Sequence, residues 1–333
     1  MKALVLEEKQ QPIVCKEVEQ PSVGAGQVLV KMKAAAMNHR DVYITQGLYP
    51  GVKAPVILGS DGAGDVVAVG TGVDESWKGK AVVLNPSIGW EDDPKVQPMK
   101  YSILGMPTNG CMADYLVVDA TQLALKPEHL SYAAAAALPL GGLTAYRALI
   151  SRAQATKKDR VLISGVGGGV ALFACQFAIA LGAEVYVTSG SEEKIQKAIA
   201  LGAKGGVNYK TENWSQQLLE MADGGFDVIV DSAGGDGFKY FLDVAAMGGR
   251  IVFYGGTKGS FKVNPQKMFW KQLSMYGSTM GNSAEFGQML DFVNQTKLVP
   301  VVDSTWKLED GPTAFEHMNQ GKQFGKIVFE IEA

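Results

Sequence analysis

The chain has 333 residues, with 31 Lys and Arg against 34 Asp and Glu, a formal net charge of -3 and 47% hydrophobic residues. That length exceeds one ordinary core and suits two domains, and the composition is that of a globular chain rather than a disordered one. The charge balance leaves no basic footprint for nucleic acid or for an anionic membrane. Forty glycines predict tight turns and close backbone approach.

Met1 to Glu8 lacks the basic start and apolar stretch of a signal peptide, which predicts a cytoplasmic protein. The first third reads as short strands: Lys2–Leu6, Gln27–Lys33, Gly64–Val69, Ala81–Leu84 and Met112–Val118, with Gly, Pro or Asp breaking most gaps. This pattern suits a compact, barrel-like domain. Tyr132 to Tyr146 is the longest apolar stretch, interrupted by Pro139, Gly141 and Gly142. It is too short to span a bilayer and reads as a buried alanine-rich helix and its exit. From Arg160 the character changes to strands alternating with helices. Arg160–Gly165, Glu184–Thr188, Gly206–Asn208, Asp227–Asp231 and Arg250–Tyr254 are strand patterns. Val170, Phe173, Ala174, Phe177 and Ala178 mark one face of a helix between the first two, and a second helix runs from about Ser191 to Leu201. Such alternation predicts a doubly wound parallel sheet. After residue 280 or so the pattern is mixed and ends in the strand Lys326–Ile331. Cys15, Cys111 and Cys175 are too dispersed for a zinc knuckle or a disulfide framework.

Ser164–Ala171 reads SGVGGGVA, directly after a strand and opening a helix. A dinucleotide fingerprint needs glycine at a sharp turn, glycine where backbone meets the pyrophosphate, and a small residue where helix packs on strand. Gly168 takes the middle role and Ala171 the last, while the first falls on Val166, between Gly165 and Gly167. About twenty residues on, an enzyme that uses NAD places a carboxylate for the ribose hydroxyls. Here the strand ends in Ser189, Gly190 and Ser191, followed by Lys194, a hydroxyl and an ammonium suited to a 2′-phosphate. Glu192 and Glu193 belong to a helix's first turn, where acids favour the dipole and face solvent. The reading is NADPH over NADH.

With these residues in view, the chain resembles the medium-chain dehydrogenase/reductase superfamily, and most closely its zinc-free quinone oxidoreductase and enoyl reductase branches. The motifs are Asn38-His39-Arg40-Asp41, Gly47-Leu48-Tyr49-Pro50, Pro55 to Val73, Leu138 to Ala148, the glycine turn and Phe324-Gly325-Lys326. The resemblance implies an α/β protein: a GroES-like β-barrel domain from 1–122 and 283–333, and a doubly wound parallel-sheet Rossmann domain from 123–282. It implies a cleft between them for cofactor and substrate. It places Gly168, Gly169 and Val170 on the pyrophosphate, Ser189, Lys194 and Tyr209 around the adenosine 2′-phosphate, and Phe253, Tyr254, Gly255, Ser278, Thr279 and Met280 along the nicotinamide half. Thr144 and Lys326 join the cofactor residues.

Zinc members of this family carry ligands at three positions that here read Asn38, Ser60 and Leu140, leaving only Asp61 beside them. A catalytic zinc needs three protein ligands. The loop from Pro86 to Gly110, where zinc members carry a four-cysteine site, has no cysteine, and Trp90, Asp92, Asp93 and Pro94 are expected to fill that space. No metal is expected. Without a Lewis acid, a conjugated acceptor suits the site, because hydride addition leaves charge delocalised into an enolate or phenolate that needs only hydrogen-bond donors. The candidate catalytic residues are Tyr49, matching the tyrosine of enoyl thioester reductases, Tyr43, matching one common in quinone reductases, and Asn38. Two readings stay open beside this one: an alcohol dehydrogenase acting on simple carbonyls, and a non-enzymatic relative that keeps the fold. The expected partners are a small-molecule substrate and a second copy of the chain, joined through the apolar strand Leu273–Gly277.

Overall fold

The computed structural model describes residues 1–90 and 93–332, so Asp92, one of the loop residues singled out above, lies outside the described residues. The chain divides into two compact units, Met1–Leu143 with Gly281–Ala333, and Thr144–Met280.

The first unit is built on β-strands. In chain order these are β1 (Lys2–Leu6), β2 (Val14–Glu17), β3 (Gln27–Ala36), β4 (Val56–Ile57), β5 (Asp61–Val69), β6 (Ala81–Leu84), β7 (Ser87–Ile88), β8 (Ser102–Ile103), β9 (Tyr115–Asp119) and β10 (Leu123–Leu125). Helix α1 (His39–Thr45) leaves the end of β3, and α2 (Tyr132–Ala137) and α3 (Pro139–Tyr146) follow β10. β3 is the hub. It pairs antiparallel along its length with β5 and, on its other edge, first with β9 and then with the chain's last strand. Its alternating burial, with Val28, Val30 and Met32 wholly inside, sends one face into a core that includes Leu4, Leu58, Leu84 and Phe329.

The expected strands 27–33 and 64–69 prove longer at one end, because the alanines 34–36 and residues 61–63 are buried enough to continue the ladder. Met112–Val118 shortens to Tyr115–Asp119: Met112 instead bonds Leu58 through its N–H. Residues 123–143 were assigned by sequence to the second domain, but they lie with the first unit. β10 pairs with β6, and α2 packs on β3 and β5 through its buried alanines. Nor does the apolar run exit after α2. Pro139, which lacks only an N–H that a first helical turn does not use, starts α3.

The second unit carries β11 (Arg160–Ile163), α4 (Gly169–Leu181), β12 (Glu184–Ser189), α5 (Glu192–Ala200), β13 (Gly205–Asn208), α6 (Trp214–Met221), β14 (Phe226–Asp231), α7 (Lys239–Val244), β15 (Ala245–Phe253), α8 (Pro265–Lys271) and β16 (Ser274–Gly277). The six strands form one parallel sheet in the order β13-β12-β11-β14-β15-β16. β11 is central and apolar throughout its last three residues, as a strand covered on both faces must be. The order reverses between β12 and β14 about β11, so the carboxyl end of β11 is the switch point at which such sheets bind ligands. Leu162, Phe226, Phe238 and Ile251 lead the core on one side of this sheet.

The chain returns to the first unit through α9 (Ser283–Thr296), β17 (Val302–Trp306), α10 (Gly311–Asn319) and β18 (Lys326–Glu330). β18 pairs antiparallel with β3 and so brings Lys326 beside the start of α1.

Candidate active site

In the first unit the site grows from the turn between β3 and α1. Asn38 is the N-cap of α1, in an extended conformation, and its N–H donates to the Asp41 carboxylate at 2.8 Å. Its side chain is used elsewhere. The Asn38 amide donates to Asp61 Oδ2 at 2.9 Å and accepts from Lys326 Nζ at 2.7 Å, and Lys326 Nζ also donates to Asp61 Oδ2 at 2.8 Å. Asp61 Oδ1 accepts the N–H of Leu140, in the first turn of α3, at 2.7 Å. The Lys326 and Asp61 side chains are 3% and 0% exposed, so this is a fully desolvated ion pair. Such a pair is sustained only by geometry of this quality and by further hydrogen bonds on the remaining lone pairs.

Arg40 forms the adjoining wall. Its Nη1 donates to Ser60 Oγ at 2.5 Å and to the Leu104 carbonyl at 2.9 Å, its Nη2 to the Met106 carbonyl at 3.3 Å, and its guanidinium lies 5.0 Å over the Tyr49 ring. Asn38, Tyr49 and Lys326 are thus brought into one neighbourhood through Asp61, Ser60 and Arg40. Tyr43 rests on α1 with its ring tilted against His39, 6.2 Å away. The Asp41 carboxyl is wholly buried, and burial pushes its pKa up to about 6 against the opposing pull of Arg40 and of the Asn38 N–H. Sequence reasoning passed over Asp61 and Ser60 as lost ligands and did not give Lys326 its partners. The pairing of β18 with β3, which joins residues 288 apart, carries no local sequence signal.

In the second unit the glycine turn leaves β11 as expected. Gly165, at φ +64°, makes the sharp turn that the spacing had put on Val166, and Gly167 also has a positive φ, +131°. Val166 N–H donates to the Thr188 carbonyl, and Gly165 N–H to the Thr188 hydroxyl at 3.1 Å, so β12 holds the turn from one side. From the other side Asp231, at the end of β14, accepts from Ser164 Oγ and from the N–H groups of Ala233 and Gly234. Thr188 and Asp231 were missed because their partners lie on neighbouring strands. Gly168 caps α4 with no side-chain acceptor, and a Cβ built there would meet nothing within 4 Å. Open backbone at the start of a 13-residue helix fits a pyrophosphate.

At the end of β12, Ser189 is buried and Tyr209 is 44% exposed, its N–H bonded to the Ser189 carbonyl. Lys194 lies along Gly167, where a Cβ would fall 2.7 Å from its Cδ. Glu192 and Glu193 face solvent, as expected, and Glu193 pairs with Lys197 at 2.7 Å. Among the residues that the resemblance assigns to the nicotinamide half, Thr144 Oγ1 donates to Met280 Sδ at 3.7 Å, Ser278 N–H donates to the Phe253 carbonyl, and a Cβ on Gly255 would fall 2.7 Å from the Ser232 carbonyl. The Ser278 hydroxyl is buried and has no partner among the described residues. The Phe253 ring packs edge-on to Phe238 and Phe261, so its side chain serves the core. Burial and a hydrogen bond with Ser232 engage the Tyr254 phenol, and burial, the larger effect, raises its pKa. Thr279 is exposed.

A family profile described as "Alcohol dehydrogenase GroES-like domain" matches residues 24–128, and one described as "Zinc-binding dehydrogenase" matches residues 169–295. The zinc-type alcohol dehydrogenase-like protein YogA of Leptosphaeria maculans is 39% identical over 342 residues, spanning 96% of this chain and 95% of its own. The chain belongs to the medium-chain dehydrogenase/reductase superfamily. Within that superfamily, the quinone oxidoreductase of Rattus norvegicus is 31% identical over 322 residues, 94% of this chain and 91% of its own. A crystal structure of an NAD-dependent alcohol dehydrogenase superposes with a TM-score of 0.93 at 34% identity, covering 100% of both chains. The protein is an NAD(P)-dependent oxidoreductase of this superfamily.

A catalytic zinc does not fit the residues present. Asn38, Ser60 and Leu140 offer an amide, a hydroxyl and a hydrocarbon, and Asp61 already accepts from three donors, one of them an ammonium that would repel a second cation. Among the described residues no group of three or more His, Cys, Asp and Glu is placed to hold a metal ion. None of the described helices is long and apolar enough to cross a membrane.

Proposed function

We propose that the protein uses NADPH to reduce a conjugated carbonyl (an enal, an enone or an enoyl thioester) or a quinone, without a metal. The observation that carries this reading is the ion pair of Lys326 with Asp61, closed by Asn38 and the Leu140 N–H, at the positions where a metal's ligands belong. NADPH would supply the hydride. Gly168, Gly169 and Val170 at the start of α4 hold its pyrophosphate, and Ser189, Lys194 and Tyr209 receive its 2′-phosphate. Thr144, Ser278 and Met280 with the backbone of residues 253–255 line the nicotinamide side. The absence of a carboxylate at the end of β12 supports NADPH, although relatives described as NAD-dependent occur in the family.

On the substrate side, Tyr49 is the donor that meets the oxygen on which charge develops, and Arg40 over its ring holds the phenol in place. Asn38, fixed by Asp61 and Lys326, orients the wall of the site, and Tyr43 on α1 is the second donor of the set. A delocalised enolate or phenolate needs no more than this, whereas the alkoxide formed from a simple ketone calls for a stronger electrophile.

The test is an acceptor panel scored by NADPH oxidation on protein whose metal content has been measured. Turnover with enals, enones or quinones at well under one zinc per chain is the expected result. About one zinc per chain, with activity on simple alcohols that chelators abolish, overturns the metal-free reading in favour of an alcohol dehydrogenase. No turnover of any acceptor, with cofactor still bound, points to a non-enzymatic relative.

A further inference from the structure

Asn38 spends every hydrogen-bonding group but one inside its own cluster. Its N–H goes to the Asp41 carboxylate, and its carbonyl accepts the Asp41 N–H at 2.9 Å. Its Oδ1 accepts from Lys326 Nζ, and one Nδ2 hydrogen goes to Asp61 Oδ2. A carboxamide nitrogen carries two donors, and the second has no acceptor among the described residues.

The direction of that second N–H is fixed. Because Lys326 Nζ also donates to Asp61 Oδ2, the ammonium, the carboxylate oxygen and the two ends of the amide close a ring. Turning the amide over would set its NH2 against the ammonium and its oxygen against the carboxylate. Two charge-assisted hydrogen bonds would become two repulsions, in a place where water does not screen them. Neither partner can follow such a turn. Asp61 is held through its other oxygen by the Leu140 N–H, and Lys326 opens β18, which is paired with both β3 and β17. The ring uses the hydrogen on the same side as Oδ1, so the one that remains lies on the far side of the nitrogen. Asn38 is also the most open of the three residues, 8% exposed against 3% for Lys326 and 0% for Asp61.

Resting on the reductase reading above, we propose that this second N–H of Asn38 donates to the carbonyl oxygen of the conjugated acceptor, and that Lys326 and Asp61 are positioning residues that hold it there. For an enal, the NADPH hydride forms a C–H bond at the β-carbon. The π pair of the double bond moves between the α-carbon and the carbonyl carbon, and the carbonyl π pair moves onto oxygen. Asn38 and Tyr49 then stabilise one oxyanion together, but differently. The phenol gives up its proton to make the enol and regains one from water, whereas the amide keeps its proton and acts by its fixed dipole alone.

The experiment measures kcat and KM with the fastest acceptor of the panel, the NADPH dissociation constant and the melting temperature. The variants are Asn38→Asp and the double variant Lys326→Met with Asp61→Asn. Aspartate is an equally good N-cap, keeps the ring by sharing a proton with Asp61, and puts a lone pair where the N–H was. Its expected effect is a fall in kcat on the order of 10²–10³, with KM and NADPH affinity near parental. The double variant frees the amide to turn and should lose about tenfold or more in kcat. Near-parental kcat in Asn38→Asp overturns the donor assignment and leaves the reductase reading standing. A fall in kcat matched by lost NADPH affinity marks a collapsed cluster and overturns it too. Should Asn38→Asp fail to fold, near-parental kcat in the double variant overturns the positioning role. A parent that reduces no acceptor of the panel overturns the reductase reading and this assignment with it.

Discussion

At the scale of single residues, one ammonium organises the buried polar cluster at the start of α1. Lys326 and Asp61 are both withdrawn from water, so removing either leaves an uncompensated charge. Lys326→Met keeps the volume and should cost about 3–5 kcal/mol of stability, read as a lower urea midpoint. Adding Asp61→Asn to that variant should recover part of the loss by discharging the orphan. Asp41 gives a pH dependence of definite sign. Its pKa is about 6 in the fold, above its unfolded value, because burial disfavours the carboxylate more than Arg40 and the Asn38 N–H favour it. The native state therefore holds more protons than the unfolded chain between about pH 4 and 6, and stability contributed by this group falls as pH rises through that window. Asp41→Asn should flatten the stability curve there, by at most about 3 kcal/mol, as unfolding midpoints at about pH 4.5 and about pH 7 would reveal. Tyr49 is tested by Tyr49→Phe, which keeps the ring under Arg40 and removes the hydroxyl. Loss of a general acid costs on the order of 10²–10⁴ in rate. An enal, which needs its enolate stabilised as hydride arrives, should show that loss, while a quinone, whose phenolate is already delocalised, should show little. Near-parental rates with both would reduce Tyr49 to lining.

At the scale of elements, the turn between β11 and α4 shows two different reasons for glycine. Gly165 has a left-handed φ of +64° with open space around its Cβ position, so its glycine serves the backbone alone. Gly165→Ala should cost about 1–2 kcal/mol in stability. Gly168 has an ordinary φ of -75° and equally open space. There a side chain is tolerated by the fold but would intrude on the site proposed for the pyrophosphate at the start of α4. Gly168→Val should leave the melting temperature unchanged and weaken NADPH and NADH alike, on the order of tenfold or more. A variant that melts early, or binds as the parent does, would refute that division of roles.

At the scale of the whole molecule, β16 ends the parallel sheet, and its outer edge has no partner among the described residues. Just before it, Phe269 and Trp270 on α8 are 65% and 77% exposed. An unpaired edge next to a bare aromatic pair invites association, and a second copy meeting edge to edge would continue the sheet and cover both rings. The expected state is a homodimer, and Phe269→Lys with Trp270→Lys should yield a folded monomer by light scattering. A parent protein monomeric at micromolar concentration would rule the dimer out.

Much of this molecule is written locally. The strand that runs into SGVGGGVA, the helix face from Val170 to Ala178 and the hydroxyls after β12 specify a dinucleotide site, because each depends on neighbours a few residues away. The alternation that follows specifies the parallel sheet, because strand and helix periods differ. What the tertiary structure alone decides is where distant polar groups meet. Only the pairing of β18 with β3 delivers Lys326 to Asp61 and Asn38, and only the packing of α2 on β3 and β5 sets residues 123–143 with the first unit. A lysine's sequence neighbours fix its backbone, but its charge is settled by whichever carboxylate, carbonyl or open solvent the folded chain brings to its tip.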